Sequence, residues 1–128
     1  MRISLLVLAL SLAACSGPPV AQPGSVEATT ATVPAGPDAL ACVLSLAARA
    51  GYAPIAAEAG VFVRVERRES IRGYTQPLID VATATLARGA LTLHGTTSVP
   101  TSEGGRRPTR TSQTVADHVS AWAESCAG

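Results

Sequence analysis

Along the second two-thirds of the chain, apolar positions switch between the spacing of a helix and that of a strand. Leu40, Val43, Leu44 and Ala47 recur at i, i+3, i+4 and i+7, one face of a helix. Asp38, after Pro37, is an N-cap type of residue and Gly51 is a C-terminal stop signal, so the first helix is expected between them. Residues 53–57 and 61–65 then flank Glu58-Ala59-Gly60, a three-residue joint that sets Ile55 opposite Val63 and Ala57 opposite Val61. In that register Val61, Val63 and Val65 face inward, while Phe62, Arg64 and Glu66 face outward.

A second hairpin is clearer. Residues 78–87 and 90–99 flank Arg88-Gly89, a two-residue turn. Counting back from it pairs Leu86 with Leu91, Ala84 with Leu93 and Ala82 with Gly95 on the core side. The opposite side pairs Thr85 with Thr92, Thr83 with His94 and Val81 with Thr96, an uncharged, threonine-rich strip. Gly104 to Arg110 reads as a loop. Thr111 or Ser112 can then cap a last helix, in which Val115, Val119, Trp122 and Cys126 lie at i, i+4, i+7 and i+11. The order αββββα predicts an α+β fold. Its simplest form is a two-layer sandwich, a four-stranded antiparallel sheet with an N-terminal and a C-terminal helix on one face.

The first third of the chain has no such period. Residues 16–37 are almost entirely Pro, Ala, Gly, Ser, Thr and Val, with five prolines and a single charge at Glu27, the composition of a disordered tether. The expected domain is therefore 38–128, and a chain of that size buries only roughly 60–65% of its unfolded surface. Beyond the tether the aromatic residues are only Tyr52, Phe62, Tyr74 and Trp122, so Ala, Val and Leu must supply most of the core, and a crosslink would help. Ten basic residues, all arginine, face nine acids, a balance that argues against a nucleic-acid partner.

Residues 1–15 carry a different pattern. Arg2 precedes the apolar run Ile3–Leu12, too short for a bilayer span of roughly 20 helical residues but suited to an export signal. It ends in Leu12-Ala13-Ala14-Cys15, which resembles the lipobox of bacterial lipoproteins: a branched apolar residue, two small ones, then cysteine. The resemblance covers residues 1–15 only. It implies that residues 1–14 are removed and that the Cys15 thiol receives a diacylglyceryl group, so that residues 15–37 are a lipidated tether. Two or three acyl chains of the palmitate type hold a protein stably on a membrane, where one alone is marginal. Ser16 resembles the residue found in lipoproteins passed on to the outer membrane of diderm bacteria, which implies the periplasmic side of that membrane.

An exported domain with two further cysteines is expected to join them, so Cys42 and Cys126 are the candidate disulfide. Their spacing matches no CxxC motif, and no metal site or cofactor is expected. Catalytic candidates are few. His118 follows Asp117, but neighbours on a helix point about 100° apart. His94 falls on the outer threonine strip, and Asp80, ahead of the core part of its strand, is expected to be solvated. No nucleophile-elbow, metalloprotease, Walker or dinucleotide fingerprint occurs. Arg64, Arg67, Arg68 and Arg72, interleaved with Glu66 and Glu69, read as a self-neutralised charged edge. Arg106, Arg107 and Arg110 beside Gly104-Gly105 are the candidate contact for an anion or partner. Together these features favour a non-catalytic binding or accessory module on a membrane tether, with an envelope protein or an anionic glycan as partner. A small periplasmic enzyme using His94 or His118 and a purely structural surface protein are the competing readings.

Overall fold

The computed structural model describes residues 28–70 and 76–128. The expected signal peptide 1–14, Cys15, tether residues 16–27 and Arg72 lie outside the described residues. The element order is β1 (Thr29–Pro34), α1 (Ala39–Arg49), β2 (Ala53–Glu58), β3 (Phe62–Glu69), β4 (Leu78–Ala87), β5 (Ala90–Pro100), β6 (Arg106–Thr109) and α2 (Gln113–Cys126). The fold is α+β. All strand pairs are antiparallel and form one six-stranded sheet in the order β1-β5-β4-β3-β2, with β6 sharing the β5 edge with β1.

The two strands beyond the expected four are both short and lie on an edge. β1 occupies residues read from the sequence as the end of the tether. Its burial alternates along Thr29–Pro34, with Ala31 and Val33 packed against the core and Thr30 and Thr32 exposed. Among the described residues only one edge of β1 is paired, so Pro34, which cannot donate a hydrogen bond, is tolerated as its last residue. β6 occupies the expected loop 104–110. The Thr101 amide donates to the Gly105 carbonyl at 2.8 Å and closes a turn that lays Arg106–Thr109 against Thr97–Pro100.

The β4–β5 hairpin has the register read from the sequence, including Leu86 with Leu91, Ala84 with Leu93 and Thr83 with His94. Arg88 (φ 53°) and Gly89 (φ 72°) both adopt the left-handed backbone that a type I′ turn requires. The β2–β3 register is displaced: Val63 pairs with Ala57 rather than Ile55, and Glu58 pairs with Phe62. The turn is closed by the Val61 amide donating to the Glu58 carbonyl, which moves the loop one residue onward. A displacement of two residues preserves the faces, so Val63 and Val65 are buried as expected. Val61, in the turn, is instead 42% exposed, and Ile55, at the bulge in β2, is 50% exposed.

Both helices pack on one face of the sheet, α1 over β3 and β4 and α2 over β1 and β5. Leu40, Val43 and Ala47 from α1 and Val115, Val119, Trp122 and Ala123 from α2 join Val63, Val65, Ala82, Ala84, Leu91 and Leu93 in one core. Gly95 makes the α2 contact possible. A Cβ there would lie 2.9 Å from Val119 Cγ2 and 3.1 Å from Val115 Cγ2, so only a bare backbone lets α2 this close to β5. The Cys42–Cys126 disulfide joins the two helices, with Cα atoms 5.7 Å apart. The crosslink closes a separation of 84 residues, worth about 4–5 kcal/mol in the chain-entropy account.

Candidate functional site

Two polar constellations are built on opposite faces of the sheet. The inner one begins with Asp80, which is 0% exposed and thus corrects the expectation of a solvated carboxylate. It shares the parity of Ala82 and Ala84 on β4 and so points under the helices. Its Oδ1 accepts from Thr97 Oγ1 at 2.7 Å and from Ser112 Oγ at 2.8 Å, and its Oδ2 meets Arg67 Nη2 at 3.3 Å. Ser112 is also the N-cap of α2: its Oγ accepts from the Val115 amide, while its own amide donates to Thr97 Oγ1 at 2.8 Å. The carboxylate thereby ties β4 and β5 to the start of α2.

Arg67 extends the network to α1. It bonds Glu69 Oε2 at 3.3 Å and the Ala50 carbonyl at 3.4 Å, and its guanidinium carbon stands 5.1 Å from the centre of the Tyr52 ring. The Tyr52 hydroxyl lies 3.0 Å from His118 Nδ1, and His118 stacks on Trp122 with ring centres 5.1 Å apart. Burial pushes the Tyr52 pKa up to about 12, with Arg67 opposing the shift. Burial, followed by Arg67, holds the His118 pKa below 6.5. A phenol that resists ionisation is poorly suited to be a nucleophile or base near neutral pH. The arrangement instead locks the C-terminal end of α1 against α2.

The outer constellation stands on the sheet face that no described helix covers. Pairing sets Thr32, Thr92 and Thr85 in one row across β1, β5 and β4, and Thr30, His94, Thr83 and Arg64 in the next, which reaches β3. Thr30 Oγ1 lies 3.1 Å from His94 Nδ1, Thr32 Oγ1 lies 3.3 Å from Thr92 Oγ1, and Arg64 Nε donates to Thr83 Oγ1 at 3.2 Å. The third row, Thr96, Val81 and Glu66, leads to a charged corner. There Glu66 is held by Arg106 at 2.7 Å and by Arg68 at 3.5 Å. A shallow cavity of about 170 Å³, lined by residues 96–98, Arg106 and Pro108, opens beside Arg106.

Comparison with protein-family models, curated proteins and solved structures finds no match to this chain.

The structure disperses the arginine trio singled out in the sequence. Arg106 belongs to the outer face and is ion-paired, whereas Arg107 has the parity of Thr109 and projects to the helix side. Arg110 follows the strand and is exposed. In the Arg64–Arg68 group Arg64 lies between β2 and β4, whereas Arg67 and Arg68 lie past the last β2 pair, on the β3 edge; Arg67 turns inward while Arg64 and Arg68 stay outside. His94 and His118 stand on opposite faces and share no partner. Cys42 and Cys126 are joined and border a cleft of about 280 Å³ formed with residues 36–39 and 125–128. Among the described residues, no three of His, Cys, Asp and Glu are placed to hold a metal ion. Sequence reasoning missed Arg67, Asp80 and Tyr52 as one network. The parity of Asp80 with Ala82 was a usable signal, but the partners that reach it come from β3, β5 and the start of α2.

Proposed function

We propose that this chain is an exported lipoprotein, tethered through lipid on Cys15, whose α+β domain works as a non-catalytic binding module. The observation that carries the reading is the outer face: both described helices pack on the other side, leaving β1, β5, β4 and β3 to present a threonine-rich surface interrupted by Phe62 and Val81. The buried polar groups support a structural role, because Asp80 accepts from Thr97, Ser112 and Arg67 and so binds their elements together, although Arg67 Nε is buried without a partner among the described residues. The Cys42–Cys126 disulfide fits an oxidising compartment, in keeping with a cleaved export signal. Ser16 after the lipidated cysteine favours the periplasmic side of an outer membrane in a diderm host.

The test is the intact mass of the chain extracted from membranes of a native or related host, before and after reduction and alkylation. The expected mass is residues 15–128 plus acyl groups, with Cys42 and Cys126 alkylated only after reduction. An unlipidated mass would overturn the anchor. For the binding role, His94→Ala and His118→Ala separate the readings: loss of a turnover activity by a folded variant would favour an enzyme.

A further inference from the structure

The outer face carries a more specific chemistry, and reading it rests on the binding role proposed above. We infer that the face spanning β1, β5, β4 and β3 is a binding site for an acidic polysaccharide, a linear glycan bearing carboxylates. Its floor is a lattice of hydroxyls from Thr30, Thr32, Thr83, Thr85, Thr92 and Thr96, with His94 among them. Neighbours within a row lie about 4.8 Å apart, and successive rows about 6.8 Å apart. Each hydroxyl donates one hydrogen bond and accepts two, so the threonines already paired with a neighbour still have capacity for a ligand. A surface that both donates and accepts at regular intervals, with no charge of its own, complements a chain of sugar hydroxyls.

The rim supplies the charge. Arg64 closes the second row, and Arg68 and Arg106 stand about Glu66 at the corner. Glu58, opposite Phe62 at the end of the first row, is a second carboxylate on this face, leaving three guanidinium groups to two carboxylates. Arg68 and Arg106 keep exposed side chains and further N–H groups beyond those that hold Glu66.

Other partners fit less well. An anionic lipid surface is recognised by about four to eight clustered basic residues, and this face has three, with Glu66 and Glu58 among them. Nucleic acid requires a basic excess that a net charge of +1 does not give. A peptide strand adds to a sheet edge, whereas on a sheet face the backbone groups are already paired.

The experiment is native affinity electrophoresis of the full mature chain in detergent, through gels containing polygalacturonate or, as the neutral control, dextran. Retardation is expected in polygalacturonate alone and should weaken with added salt. Arg64→Gln and Arg106→Gln should each weaken it about tenfold, the order of a charge-assisted contact. Thr32→Val and Thr92→Val, which keep the strand's β-branched shape, should weaken it about fivefold each. Arg107→Gln, on the helix side, should leave it unchanged. Absence of retardation, or retardation that the threonine and Arg64 variants leave intact, would overturn the assignment. So would stronger capture by vesicles of anionic lipid than by polygalacturonate. A lipidated, membrane-extracted chain that fails these gels would remove the glycan site and leave the anchored-module reading standing.

Discussion

Asp80 shows what a single residue does in a small core. Its carboxylate is wholly buried and bonded to Thr97, Ser112 and Arg67, which come from β5, the α2 N-cap and β3. Asp80→Ala would leave a guanidinium and two hydroxyl donors without their shared acceptor. The expected loss is about 3–5 kcal/mol, the range for breaking one side of a buried pair, read as a lowered urea midpoint. Asp80→Asn should cost less, because its carbonyl can still accept from Thr97 and Ser112 while its amide opposes Arg67. His118 makes the matching case for pH. Its folded pKa lies below 6.5 because burial and then Arg67 disfavour the imidazolium. Above 6.5 the group is neutral folded or unfolded. As pH falls from 6.5 through the lowered folded value, the unfolded chain binds the proton more readily, and stability is lost. Urea midpoints at pH 7.5 and 5.5 should therefore show a decrease that His118→Phe reduces.

At the scale of elements, the sequence disclosed most where a strand's two faces differ strongly. The β4–β5 hairpin was legible to the residue because Leu and Ala alternate with Thr about a two-residue turn. The stripes of α1 and α2 were legible for the same reason, and all four residues of the α2 stripe are buried. β2 has no buried face, its six residues being exposed throughout, so nothing in its pattern could fix the register against β3. β1 was hidden by the prolines on either side of a six-residue alternation, and β6 by its arginines and Pro108. The meaning of Gly95 was equally hidden: its place opposite Ala82 could be counted, but not the approach of α2 above it. Gly95→Ala should drive a methyl into Val119 and Val115, costing about 1–3 kcal/mol as overpacking. Adding Val119→Ala should recover part of that loss. Equal destabilisation by Gly95→Ala with or without the second change would mean that strand conformation, not the α2 contact, sets the requirement for glycine.

For the whole molecule, the question is where the domain begins, and composition and structure answer differently. By composition the tether runs to Pro37; by pairing the sheet already includes Thr29. β1 does more than lengthen the sheet. It covers the β5 edge from Ala90 to Gly95, packs Ala31 and Val33 against the core, and lies beside α2. Its end is tied down by two further bonds, the Ala35 amide to the Gly89 carbonyl and the Gly128 amide to the Pro34 carbonyl. A chain starting at Asp38 would lose all of these and expose a β5 edge rich in Leu and Thr, an invitation to pair with other molecules. A chain starting at residue 28 would keep them. We therefore expect 28–128 to match residues 15–128 in urea midpoint and to be monomeric by light scattering, while 38–128 unfolds at lower urea and self-associates. Equal stability of the two truncations would mean that β1 is an adornment of the sheet rather than part of its foundation, and that the tether extends to Pro37 as the composition suggests.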